Sequence, residues 1–186
     1  MNKPPHDEFN NTLAFAAALM GESTPRALVV IGAARLEEEV KAITALAAPG
    51  FENDRRSHMS RVELLVSLGV FTEDVAFCFN HIARIRNHFA HVWTAVDLRD
   101  APIADKVDAL FARLEGLIGL AALSENMFGQ MRAKLPRGMA PQSWIHDAFI
   151  KYQCAVLILL WHLVVVKANV APKPIPIPLS RDGYWK

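Results

Sequence analysis

Cysteine is nearly absent from this chain: its 186 residues contain two, Cys78 and Cys154. Each lies in an apolar stretch with no CxxC spacing and no histidine-rich neighbour, which argues against a zinc ribbon and against a disulfide-stapled scaffold. Two reduced, buried thiols in a cytoplasmic protein are expected. Glycine is sparse at 9 residues, β-branched clusters are short, and Ala and Leu dominate, a composition that favours helix. No basic segment leads into an apolar one over Met1–Glu8, so no secretory signal is expected. The longest apolar run, Ala155–Val166, is interrupted by His162. It falls short of the roughly 20 apolar residues of a membrane span, and no membrane partner is expected. An excess of one charge sign is missing too: 20 Lys+Arg face 19 Asp+Glu, for a net charge of +1. The whole chain therefore carries no polyanion-binding signature, and direct sequence-specific DNA binding is not expected. There is no Walker loop, no GxGxxG, no clear helix-turn-helix signature and no internal repeat.

What is present reads as globular. Hydrophobic residues make up 52% and charged residues 21%, enough for one domain with a sizeable core. Caps and period predict helices over Phe9–Met20, Arg26–Ala48 (stopped by Pro49-Gly50), Ser57–Leu68 (closed by Gly69) and Thr72–Val92. Phe51–Arg56 reads as a charged loop. A fifth helix is predicted from Ile103 to about Lys134, with a bend at Gly116 and Gly119. Pro136–Pro141 breaks the chain, and a last helix follows over Ser143–Lys167. The fold class is all-α: a single-domain antiparallel bundle over residues 1–171, then a proline-rich tail over 172–186. Alternating prolines from Pro172 to Pro178 prefer an extended polyproline conformation. Docking of this tail on its own body or a neighbouring subunit is expected, with Tyr184-Trp185 as anchor. Charge is uneven: residues 1–131 hold 12 basic and 17 acidic side chains, and residues 132–186 hold 8 and 2. Phe149, Tyr152 and Trp161, with Trp144, decorate the last helix as core or interface. The flat apolar run Val156–Val166 wants cover on more than one side, so a homodimer through it is expected. His162 within it reads as a satisfied core histidine.

The densest chemistry lies in His81-Ile82-Ala83-Arg84-Ile85-Arg86-Asn87-His88-Phe89-Ala90-His91. At about 100° per residue, His81, Arg84, His88 and His91 share one face, and Ile82, Ile85, Phe89 and Val92 share the other. Three readings of the polar face stay open. It is a structural network in which Arg86 pairs with a carboxylate on the second helix (Glu37 or Glu38, beside Glu39), Asn87 bonds backbone and the histidines are tolerated. Or it handles phosphate: an arginine holds the anion in a bidentate contact, and a histidine moves the proton without a metal. Arg86 and His91 stand about 140° apart on an ideal helix, so the pair converges only if Arg86 bends round, the helix distorts, or a two-fold dimer joins two such pairs in one cleft. Or His88 and His91 share a zinc ion with His81 nearby. No cysteine or carboxylate evidently completes four ligands, and neither metal nor cofactor is expected.

Arg26-Ala27-Leu28-Val29-Val30, Ala33-Ala34-Arg35-Leu36-Glu37, Ser60-Arg61-Val62-Glu63-Leu64 with Leu68-Gly69-Val70, and above all Ile85-Arg86-Asn87-His88-Phe89-Ala90-His91 resemble the mannitol operon repressor family. The likeness spans Glu22–Val92 and departs over Arg55–Met59 and in the tail. It implies an all-helical bundle that regulates transcription through other macromolecules. Arg86, Asn87 and His91 also match the Arg-x4-6-His motif of the wider HEPN superfamily of helical proteins, many of them metal-independent ribonucleases. That resemblance implies a HEPN-like bundle in which Arg86 contacts phosphate, His91 is the acid/base and Asn87 orients them. Arg84, His88, Glu37 and Glu38 then form a binding or structural network. A regulatory protein with a protein or RNA partner is the function expected; a ribonuclease is the alternative.

Overall fold

The computed structural model describes residues 5–51, 57–92, 96–118 and 147–170. Among them the chain forms six helices and no strand: α1 (Pro5–Gly21), α2 (Pro25–Ala47), α3 (His58–Ser67), α4 (Glu73–His91), α5 (Ala101–Ile118) and α6 (Ala148–Asn169). The all-helical expectation holds. Expectations for the tail 172–186, for Trp144, for the Pro136–Pro141 break and for helix between 119 and 134 lie outside the described residues. α5 runs through Gly116 to Ile118.

The helix boundaries follow local chemistry. Ser57 Oγ accepts the Ser60 N–H at 3.2 Å and opens α3. Gly69, at φ +67°, closes it with two bonds, Gly69 N–H to Val66 C=O and Val70 N–H to Leu65 C=O, both 2.8 Å. This is the pattern that requires a residue without Cβ strain in the left-handed region. Thr72 Oγ1 accepts the Val75 N–H at 3.3 Å, and Glu73 and Asp74 occupy the first turn of α4, where carboxylates favour the helix dipole. α6 opens behind Asp147, whose carboxylate accepts the Phe149 N–H at 2.8 Å, and not at Ser143. The difference is a capping one: Asp147 is extended and satisfies the first free N–H groups.

α4 runs antiparallel to α2, with Val92 at Arg26 and Arg86 at Glu37. α6 instead runs parallel to α2: Tyr152 lies at Val29, Val156 at Gly32 and Lys167 at Glu39. It also runs parallel to α5, since Arg99 ahead of α5 holds Asp147 ahead of α6 at 2.9 Å, and Lys151 holds Asp108 at 2.5 Å. α6 has 22 residues and, alone among the described helices, is long and apolar enough to cross a membrane. The expectation of a span too short is corrected, because Ala148–Cys154 lengthens the helix ahead of the apolar run. In the bundle it is the central helix. Tyr152–Leu160 and Leu163 are buried, against α1, α2 and α5. The first half of the run Val156–Val166 is covered within one chain, while its second half is only partly covered, with Val165 48% exposed. His162 is half-buried, and burial lowers its pKa. Both cysteines are free and buried, and burial pushes each thiol up to about 12. Neither supplies a thiolate near neutral pH.

Two buried polar groups join elements. Gln153 Nε2 donates to Leu19 C=O at 3.0 Å, satisfying a carbonyl at the end of α1. Glu39, with its side chain 8% exposed, accepts from Arg35 at 2.5 Å and Lys167 at 3.2 Å, linking α2 to α6.

Candidate functional site

The polar cluster occupies the last three turns of α4. Val75, Cys78, Phe79, Ile82, Ile85 and Phe89 are buried on the inner face, so their spacing fixes which side chains point outward. Arg84, Asn87 and His91 are exposed, and His81, Arg86 and His88 are half-buried. His81 bonds Phe77 C=O through Nδ1 at 3.1 Å, and its ring stacks on Phe77 at 4.0 Å. The Arg113 guanidinium covers the same phenyl ring at 4.9 Å and pairs with Asp74 at 2.9 Å. The His88 ring stands T-shaped to its neighbour Phe89, centroids 6.4 Å apart.

Arg86 reaches α2 and donates to Glu37 Oε1 at 2.7 Å, with the two side chains 36% and 37% exposed. Glu38 faces elsewhere and accepts from Arg35 at 3.3 Å. A pair exposed to this degree contributes about 0–1 kcal/mol; its consequence is orientation. α4 is regular through His91, and no hydrogen bond joins Arg86, Asn87 and His91 among the described residues. Within one chain the structure therefore brings Arg86 to Glu37 and leaves Asn87 and His91 outward. No three His, Cys, Asp or Glu side chains among the described residues converge as a metal-holding group.

Three participants were not legible as part of this cluster. The Arg26 guanidinium donates to Val92 C=O at 2.5 Å and so caps α4 beside His91. The His58 ring, in the first turn of α3, makes a T-shaped contact with the Phe79 ring, centroids 5.5 Å apart. Burial lowers the His58 pKa; Glu37 opposes that shift, while Arg86 and Arg61 reinforce it. Tyr152 is fully buried on α6, and its hydroxyl faces Val29 C=O at 3.4 Å. Burial raises its pKa, and the Arg86 charge acts against the rise. The Arg86–Glu37 pair thus sits between α2 and α4, beside the start of α3. Spacing along α4 carries no information about α3 or α6, and a lone histidine after a capping serine is no signal in itself.

The His58 shift has a sign. The native state favours the neutral ring, while the unfolded chain protonates it near 6.5. Its contribution is complete above that value and is lost as pH falls below it toward the depressed native pKa. Unfolding by urea at pH 7 and pH 5 checks this: His58→Gln is expected to flatten the acid-side loss of stability, and an unchanged slope would refute the assignment.

Comparison with protein families, with curated proteins and with solved structures returns no match to this chain.

Proposed function

We propose that this chain is a regulatory protein of the mannitol operon repressor type, built as a HEPN-like helical bundle, that acts by contacting another macromolecule and not through a helix-turn-helix. The Arg86–Glu37 pair at 2.7 Å carries the reading. An arginine held by a carboxylate of its own fold positions α4 against α2, and the outward Arg84, Asn87 and His91 become a contact edge. Exposed polar and cationic side chains on a rigid helix suit a protein or RNA surface. The test is complementation: cells lacking the chain receive the wild type or an Arg84→Ala/Asn87→Ala/His91→Ala variant of equal stability, and transcript levels are measured. The wild type is expected to restore the pattern and the variant to lose it. Full restoration by the variant would sink the reading.

A second reading is a metal-independent ribonuclease using Arg86, Asn87 and His91. It draws support from the exposure of His91 and from the single hydrogen bond of a half-exposed Arg86, which leaves other guanidinium donors for a phosphate. RNA cleavage in EDTA by the wild type, absent from His91→Ala, would replace the regulatory reading with this one.

A further inference from the structure

The outer face of a surface helix in a nearly neutral chain ordinarily mixes charges of both signs. That of α4 does not. No carboxylate occurs from Val75 to Val96, a stretch that holds Arg84, Arg86 and three histidines. Its polar pattern also returns after seven residues: Asn80-His81 is followed by Arg84, and Asn87-His88 by His91. Phe77, His81, Arg84, His88 and His91 therefore succeed one another at steps of four, three, four and three. Such steps keep side chains on one seam of a helix, the seam along which a second helix lies. This seam borders α5. Arg113, near the end of α5, covers the Phe77 ring at 4.9 Å and holds Asp74, at the start of α4, at 2.9 Å. The two helices are thus antiparallel, and Lys106, two turns before Arg113 on the same side of α5, stands at the height of His81 and Arg84.

We infer that the outer seam of α4, flanked by Lys106 of α5, receives an acidic helix of a partner protein, which is the macromolecule of the regulatory reading on which this inference rests. Charge selects the sign of the occupant. Arg84 is exposed and makes no hydrogen bond or ion pair among the described residues, whereas every other described arginine is engaged. Lys106, Asn87 and His91 are equally without a hydrogen bond or ion pair among the described residues. The carboxylates nearest the seam do not neutralise it. Asp74 is held by Arg113, and Asp108 by Lys151 on the side of α5 that faces α6. Asp105 is exposed, turned about 100° around α5 from Lys106. Period selects the form of the occupant. A seven-residue return suits a helix laid along α4, whose own side chains recur at the same steps. A polynucleotide brings a charge with every residue and is held by many cations together, and two free cations match a pair of carboxylates better. From His81 to His91 the seam is about 15 Å long, three turns of a partner helix with carboxylates at i, i+3 or i+4, and i+7. Contacts of this size and polarity belong to the transient class.

The experiment measures fluorescence anisotropy of a labelled, alanine-rich helical peptide titrated with the full chain. The peptide carries glutamates at steps of four, three, four and three. A scrambled peptide of the same composition spreads those glutamates around the helix. Saturable binding of the first peptide is expected, with the scrambled one weaker by about 10-fold or more, and with affinity falling as salt rises. Arg84→Glu and Lys106→Glu should each weaken binding by about 10-fold or more. Arg84→Gln, a milder change at an exposed position, covers the case in which a reversed charge disturbs the fold, and circular dichroism confirms the helix content of each variant. Lys41→Glu makes the same charge change at an exposed position of α2 and should leave affinity as it is. No binding of the seam peptide, equal binding of the scrambled one, or indifference to both Arg84 variants would overturn the proposal. So would a loss in Lys41→Glu equal to that in Lys106→Glu, or displacement of the peptide by a single-stranded RNA of equal charge at lower concentration than by unlabelled peptide. No transcript enters this test. A failed peptide with intact complementation would reject the acidic helix and keep the regulatory reading, and bound peptide with failed complementation would do the reverse.

Discussion

Phe79→Ala is expected to lower the unfolding free energy by about 3–5 kcal/mol, the range for removing a fully buried aromatic side chain. Phe79 is 0% exposed on the inner face of α4. Its ring stacks on Phe71 at 5.7 Å and makes a T-shaped contact with the His58 ring at 5.5 Å. Truncation therefore opens a cavity where α3, α4 and the turn between them meet. Gly69 and Thr72 fix that turn on either side, so it has little freedom to collapse into the space. The loss should show in urea unfolding as a lower midpoint with an unchanged slope. A second readout separates this from a generic core defect. The His58 ring owes its burial to this neighbour, so the acid-side loss of stability that His58 produces should shrink in Phe79→Ala. A cost below about 1 kcal/mol would mean that the α3–α4 junction repacks freely. The Arg86–Glu37 pair would then not be held by the packing beneath it.

The same junction separates what the sequence discloses from what it conceals. The inner face of α4 is legible because Ile82, Ile85 and Phe89 recur at helical spacing, and all three are buried. The ends of α3 are legible because Ser57 and Gly69 do chemistry that few other residues do at those positions. Arg86 requires a partner on chemical grounds. Glu37 receives it and Glu38 does not, since one residue along α2 turns the carboxylate by about 100°. The direction of α6 is not legible. Its apolar run gives burial without orientation, because a helix apolar on nearly every side carries no moment to aim it. Its parallel course beside α2 depends on where the connection from α5 returns the chain. For the same reason Val156–Val166 suggested a face wanting outside cover, while its first half is buried against α1, α2 and α5. The contribution of His58 is tertiary: 28 residues separate it from Arg86, and no local pattern joins them.

The parallel pair α2–α6 includes a close approach at Gly32, and its alteration should have the second large effect. A Cβ built at Gly32 would lie 3.1 Å from Val156 Cγ2 and 3.3 Å from Cγ1. Gly32 thus eases a close approach, in the middle of a helix where glycine costs about 1 kcal/mol relative to alanine. Gly32→Ala sets that propensity gain against a few tenths of an ångström of displacement at Val156, and little net change is expected. Gly32→Leu has no such escape. Its branched end would enter space held by Val156, which is 0% exposed, and a loss of about 3 kcal/mol is expected, at the upper end for overpacking. Val156→Ala alone should cost about 2 kcal/mol in lost burial and cavity. In combination the larger side chain fills the volume the smaller one vacates. The double variant should therefore be more stable than the sum of the single changes by at least about 1 kcal/mol, a coupling that a double-mutant cycle reads directly. Strict additivity would place the two residues in separate environments and refute the contact between them. Strong coupling would make this crossing the element that sets the height of α2 against α6, and through Glu37 the height at which Arg86 is held.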